Sequence, residues 1–354
     1  MSNSYKSGSS RMTGLSLVEL MIAMALGLIT VGAVGWVYLN TAQTYRLQDG
    51  AARMQEGARY AFEIISNDLR MLGATGCGST TPGTNALNSN TNWYEDIFRQ
   101  PLISTEKDGA TGQVTQYSDA LVVLRADIAN EYIVSSYNSA TAQFTLTAAH
   151  NLAPGALLVA TDCNNVAAFQ ASAASGTTVN HGLAGTPGNA TLNLGPAATY
   201  PYPTGTRLYS LSAVRYYVAN NPAGNPSLYR QRPLGGSATI TAEELVEGIE
   251  DLQVSYGVDT STPANGTADF FDPDGDGDPY LRGDQVNSSA TLGTTPEERW
   301  KRVVSVRISF LMRSTDNNVV PSAQTYSYNG ASVTATDRRL RKVFTHVVKL
   351  RNRV

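Results

Sequence analysis

Residues 11–39 read RMTGLSLVELMIAMALGLITVGAVGWVYL, an apolar run broken by one carboxylate, Glu19, five positions after Gly14. From Leu20 to Leu39 there is no charge. As a helix that stretch spans about 30 Å, the thickness of a bilayer core. The residues before it are short and polar, with Lys6 and Arg11 as their charges. Positive flanks stay on the cytoplasmic side, which puts the rest of the chain across the membrane. A cleaved secretory signal expects a shorter apolar core and then a small-x-small site. Here the helix pattern runs on instead.

Beyond Tyr38, the residues Leu47, Ala51, Met54, Ala58, Ala61, Ile65, Leu69 and Leu72 recur at steps of three and four. That is one apolar stripe on an amphipathic helix. Arg46, Asp49, Arg53, Glu56, Arg59, Glu63 and Asp68 take the other faces, and Gly73 and Gly76 end the pattern. No proline falls between Leu15 and Leu72. The expectation is one helix of roughly 85 Å, apolar all round in its first half and on one side in its second.

Short basic leader, glycine, apolar residue, glutamate at the fifth mature position and long helix occur together here. The pattern resembles the type IV pilins and pseudopilins. It implies a leader at 1–14, a membrane and filament-core helix at 15–39, an amphipathic half at 40–76 and a periplasmic β-rich domain with polar loops at 77–354. It also implies that a prepilin peptidase cuts between Gly14 and Leu15 and methylates the new Leu15 amine. Losing Lys6 and Arg11 would take the net charge from −3 to −5. A carboxylate at membrane depth costs about 2.5–3.5 kcal/mol, so Glu19 needs a partner. The resemblance supplies one, the Leu15 amine of the next subunit in a filament, against the plainer reading of a side chain reaching the headgroups. One departure stands out: the helix-weakening proline that major pilins often carry at mature position twenty-two is Trp36 here, which suits a minor subunit.

After Gly76 strand signals take over. They fall at 121–125, 132–135, 144–147, 157–161 and 208–218. Residues 171–206, rich in Ala, Gly, Thr, Asn and Pro, read as a long surface excursion. Glu243–Val258 reads as a short helical turn running into a strand with Leu252, Val254, Tyr256 and Val258 on one face. Val303–Met312, with Val304, Val306, Ile308, Phe310 and Met312 on one face, and Lys342–Leu350 complete an antiparallel sheet expected against the long helix, an α+β arrangement. NDLRMLGATGC, LVEGIEDLQVSYG and the closing RRLRKVFTHVVKLRNRV look like the PilW family of minor pilins. The related J-type pseudopilin of type II secretion is the nearest competitor.

Cys77 and Cys163 are the only cysteines and have no metal-ligand spacing. In an oxidising compartment they form a disulfide; in the cytosol they are buried free thiols. Asp272, Asp274 and Asp276 fall at positions one, three and five of a calcium loop with Gly277 at six, and Asp278 and Asp284 stand nearby. Position twelve is Gly283 where the loop expects glutamate. The alternatives are a weak structural Ca²⁺ site, the reading adopted, and a solvated turn. No cofactor is required.

Charged residues make up only 16% of 354 residues. No basic cluster with interleaved aromatics points to nucleic acid. His150, His181 and His346 have no ligand spacing, and no nucleophile elbow, phosphate loop or dinucleotide fingerprint appears. An enzyme is therefore not expected. The basic C-terminus reads either as sheet-edge charge or as a docking face for an acidic pilin. The resemblance implies a minor pilin that primes filament assembly with other minor pilins, the major pilin and a tip adhesin. Its place is first the inner membrane, then the pilus tip, in support of motility, adhesion or DNA uptake. A binding module with loops 171–206 and 259–296 as its contact surface is the remaining alternative.

Overall fold

The computed structural model describes residues 16–77, 83–88, 97, 102–105, 118–197, 199–233 and 240–351. Its first element is a single helix, α1 (Leu17–Arg70), about 81 Å long at 1.5 Å per residue. Ser16 caps it reciprocally with Glu19: the Ser16 Oγ accepts from the Glu19 N–H and a Glu19 carboxylate oxygen accepts from the Ser16 N–H. Residues 16–41 are exposed, and among the described residues α1 is the one helix long and apolar enough to cross a membrane. Met54, Ala58, Ala61, Ile65, Leu69 and Leu72 are buried, so the stripe packs as its periodicity predicts from Met54 onward, while Leu47 is exposed and Ala51 half-buried. Gly76 sits at φ +82°, and a Cβ there would lie 2.5 Å from the Tyr209 ring. Only glycine fits that turn.

Among the described residues the large sheet has eleven strands. Along its main path they are β1 (Gly83–Asn85), β6 (Val166–Gln170), β5 (Leu157–Thr161), β9 (Arg207–Asn220), β3 (Ala120–Asn138), β4 (Gln143–Leu146), β8 (Thr178–Asn180) and β7 (Ala173–Ser175). β2 (Leu102–Thr105) flanks β3, and β10 (Pro226–Pro233) and β11 (Ile240–Glu247) extend from β9. Among the described strand pairs only β1–β6 is parallel. A second sheet orders β12 (Ile249–Val258), β13 (Val303–Arg313) and β16 (Arg341–Lys349), all antiparallel. β14 (Thr325–Tyr328) and β15 (Ala331–Thr334) form a separate hairpin. Two short helices, α2 (Gly283–Ser288) and α3 (Pro296–Lys301), lie between β12 and β13.

The main core joins the α1 stripe to β12, β13 and the β9–β10 pair, with Leu281, Val286, Leu292 and Trp300 closing one end. Phe62 of α1 stacks on Phe310 of β13 at 4.8 Å. Leu252, Val254, Tyr256 and Val258 all point into this core, as their alternation predicts. On β13 the alternation holds for Val306, Ile308, Phe310 and Met312. A register shift at Gly257/Val258 then brings Val303, not Val304, into the cluster. The two sheets are stitched where β3 begins: the Val254 N–H donates to the Asp119 carboxylate (2.9 Å) and the Asp119 N–H to the Leu252 carbonyl (2.8 Å).

Three further expectations are corrected. The pieces at 121–125 and 132–135 are one strand, β3, whose pairing with β9 shifts register between Ala126 and Glu131. Glu243–Glu247 is strand, not helical turn; Gly248, at φ +88°, then bends the chain into β12. Its glutamates suit a helix locally, but Glu243 lies directly across from Arg230 of β10 and pairs with it at 2.7 Å. Cross-strand pairing outweighs local propensity here.

Residues 171–206 are not a surface excursion. Ala171, Val179, Leu194 and Tyr202 belong to a second core with Phe144 and Phe169. Side-chain amides supply the hydrogen bonds that regular strands would. Asn189 donates to the Gln170 and Gly182 carbonyls, both at 2.8 Å, and Gln170 donates to those of Gly155 and Thr186.

Candidate assembly surface

Glu19 is exposed at the head of α1, its carboxylate turned back onto the Ser16 N–H at 2.9 Å. A first-turn acid is also favoured there by the helix dipole. Gly14 and Leu15 lie outside the described residues. The exposed apolar surface runs on from Glu19 through Leu39. It ends near Gly50, which packs beside Ser314 and Val319 of the domain.

At its other end α1 is locked to the large sheet. Asp68, which its helical position alone assigns to a polar face, is 8% exposed. The Tyr216 hydroxyl of β9 donates to it at 2.5 Å and Arg125 of β3 at 3.3 Å. The Cys77–Cys163 disulfide follows at once, with Cα atoms 5.3 Å apart. The membrane-length half of the helix is thus carried on a rigidly anchored second half.

The basic C-terminal motif divides into two sets. Arg341, 8% exposed, donates to both Glu250 oxygens, at 2.8 and 2.9 Å, and to Asp337. Arg313 adds a contact to Glu250 at 3.2 Å and Arg339 one to Asp337 at 3.5 Å. The Arg341 guanidinium, then the Arg339 backbone N–H, hold the Asp337 carboxyl below its ordinary range. This network closes the end of the three-stranded sheet. Lys342, Lys349 and Arg351 stay exposed.

In the acidic loop, Asp272, Asp274 and Asp276 bring one oxygen each to within 4.8 Å of one another. The N–H groups of Gly277 and Gly275 donate to Asp272 and hold its carboxyl below the usual range. Asp278 is engaged elsewhere, paired with Arg307, whose guanidinium lies over the Tyr280 ring. Asp284 sits in the first turn of α2 and pairs with Arg282 at 3.3 Å. Three of the five predicted acids are therefore together and two are not.

Sequence reasoning missed Asp68, Asp119 and Glu250. Each is an acid whose partner lies more than fifty residues away, so no local spacing marks it.

Residues 215–352 match the family described as PilW, Type IV Pilus-assembly protein W. The comparisons with curated proteins and with solved structures returned no match.

Proposed function

From the premise that the chain, matched over residues 215–352, is a PilW-family type IV pilus protein, we propose that it is a minor pilin that primes filament assembly and remains at the tip. The family match carries this reading. The exposed apolar half of α1, fixed to the domain through its buried second half, supports it, since such a helix passes from membrane to filament core without remodelling the domain.

In this reading a prepilin peptidase cuts after Gly14 and methylates Leu15. The methylated amine keeps its positive charge and takes the Glu19 carboxylate of a neighbouring subunit in exchange for the Ser16 N–H. A buried pair of that kind fixes register, because a one-residue slip leaves both charges unpaired. Other minor pilins, the major pilin and a tip adhesin are the partners, and the inner membrane is the first location. Asp272, Asp274 and Asp276 hold a structural Ca²⁺ of low affinity. The residues suggest no catalytic chemistry.

Mass analysis of the mature N-terminus tests the processing step. The expected species begins at methylated Leu15; a start near Gly35 would mean an ordinary secretory signal and remove the pilin route. Deleting the gene should reduce surface filaments, and the Glu19→Gln chain should fail to restore them. Unchanged piliation after deletion would overturn priming.

A further inference from the structure

Among the described residues β16 is the last strand of its sheet, and no strand pairs with its outer edge. In the β13–β16 register, the Leu350 N–H donates to the Val304 carbonyl and the Ser314 N–H to the Leu340 carbonyl. Even-numbered residues of β16 therefore bond inward to β13, and odd-numbered ones turn their N–H and C=O groups outward. Arg341, the first outward residue, is capped by the Gln324 side-chain amide, which donates to its carbonyl and accepts from its N–H, both at 2.9 Å. Val343, Thr345 and Val347 have no such cap among the described residues.

Beside this edge runs an open groove of about 540 Å³ between α1 and β16. Phe62 and Phe344 give it an apolar floor; Arg59, Glu63, Arg70 and His346 line its walls. Lys342 lies 5.4 Å from the Phe344 ring. Arg59, Arg70, Lys342, Lys349 and Arg351 make no ion pair among the described residues, and Glu63 is the one carboxylate lining the groove. A guarded edge would be capped along its length. This one is capped at a single end and then presents an uncharged run, Val343–Val348.

We propose that β16 and the facing surface of α1 receive an extended, acidic strand of another pilus subunit, added to the open sheet edge. The main chain of that strand pairs with Val343, Thr345 and Val347. Alternate side chains enter the groove over Phe62 and Phe344, where carboxylates meet Arg59, Arg70 and Lys342. This rests on the pilus-assembly reading and adds to it where, and by what chemistry, the domain meets a neighbour.

The test uses the full chain in cells that assemble pili, with a photoreactive benzoylphenylalanine in place of Val347, a residue 45% exposed. The adduct peptide is identified by mass spectrometry. The expected adduct is an acidic, extended segment of another chain that carries its own apolar N-terminal helix. Thr345→Pro removes one outward N–H and leaves the inward bonds intact; it should lower adduct yield roughly tenfold, the scale of one or two lost hydrogen bonds. Thr345→Val should not. Lys342→Glu with Lys349→Glu should lower the yield by a similar factor. Resistance to limited proteolysis reports that each variant folds, and the lysine pair decides if the proline variant does not. An adduct on lipid, on a second copy of this chain or on a chain without such a helix overturns the proposal, as do yields indifferent to the lysine reversal. Loss of filaments on deletion with no adduct at Val347 overturns the docking site and leaves the assembly role standing.

Discussion

His181 and Asp251 are half-hidden titrations of opposite sign. His181 is fully buried among Tyr137, Phe144 and Phe169, with its Nε2 3.1 Å from the Tyr137 hydroxyl and its Nδ1 without a partner. Burial pushes its pKa down to about 4. Asp251 of β12 is largely covered, and burial raises its carboxyl to about 6, with hydrogen bonds to Gln253 and Ser118 opposing the rise. For His181 the unfolded chain binds the extra proton below its ordinary pKa of about 6.5, so stability is lost as pH falls from there toward 4, by roughly 3 kcal/mol. For Asp251 the folded chain binds the extra proton. Its contribution is present at low pH and disappears as pH rises through about 6, again by roughly 3 kcal/mol. Together they nearly cancel between pH 6.5 and 4. Urea titrations at pH 6.5, 5 and 4 should show little change from this pair in the natural chain. Asp251→Asn should unmask an acid-side loss of about 3 kcal/mol, and a flat profile for that variant would refute the assignment. Neither residue declares itself in the sequence: His181 sits in an Ala/Gly/Thr/Asn stretch that reads as solvent-exposed, and Asp251 in an acidic run.

Elements were legible where their periodicity was the cause of their packing. The α1 stripe, β5, the core face of β12 and most of β13 follow from spacing alone, because burial selects the apolar face directly. β11 and the 171–206 segment were not, since their stability comes from partners elsewhere: Arg230 opposite Glu243, and Asn189 and Gln170 bonding to distant backbone. The same holds for the C-terminal charges. DRRLR is a string of surface-like residues until Glu250 and Asp337 are seen to enclose Arg341. Arg341→Ala would strand the Glu250 carboxylate beside Arg313 alone, and removing one partner of a buried pair costs about 3–5 kcal/mol. Arg341→Lys keeps the charge but gives up the two-pronged contact, and should recover only part of that loss. Chemical-denaturation midpoints for the two variants check the order. In the acidic loop, calcium should raise the thermal midpoint of the natural chain at millimolar concentration, the range expected of extracellular sites. Asp274→Asn should abolish that rise, while Asp284→Asn, which alters an acid outside the triad, should not.

For the molecule as a whole, membrane topology and disulfide make one statement. An exposed apolar helix of bilayer length is followed by a domain that a bridge between Cys77 and Cys163 ties together. That bond joins the turn after α1 to the β5–β6 connection, closing a loop with a sequence separation of 86. It reinforces the junction where Asp68 clamps the end of α1 to the large sheet. The cysteines by themselves allowed either free thiols or a bridge; the geometry brings them within bonding distance, and such a bridge persists in an oxidising compartment. A chain whose domain crosses the membrane should therefore show no thiol reactive toward a maleimide reagent, even when unfolded, until it is reduced, and two thereafter. The same chain held in a reducing cytosol should show two on unfolding from the start. Reduction, or Cys77→Ser with Cys163→Ser, should cost about 2–5 kcal/mol, with the loss appearing first as proteolytic cleavage just beyond α1. Two reactive thiols in the exported chain before reduction would break the link between the helix and the compartment it is taken to reach.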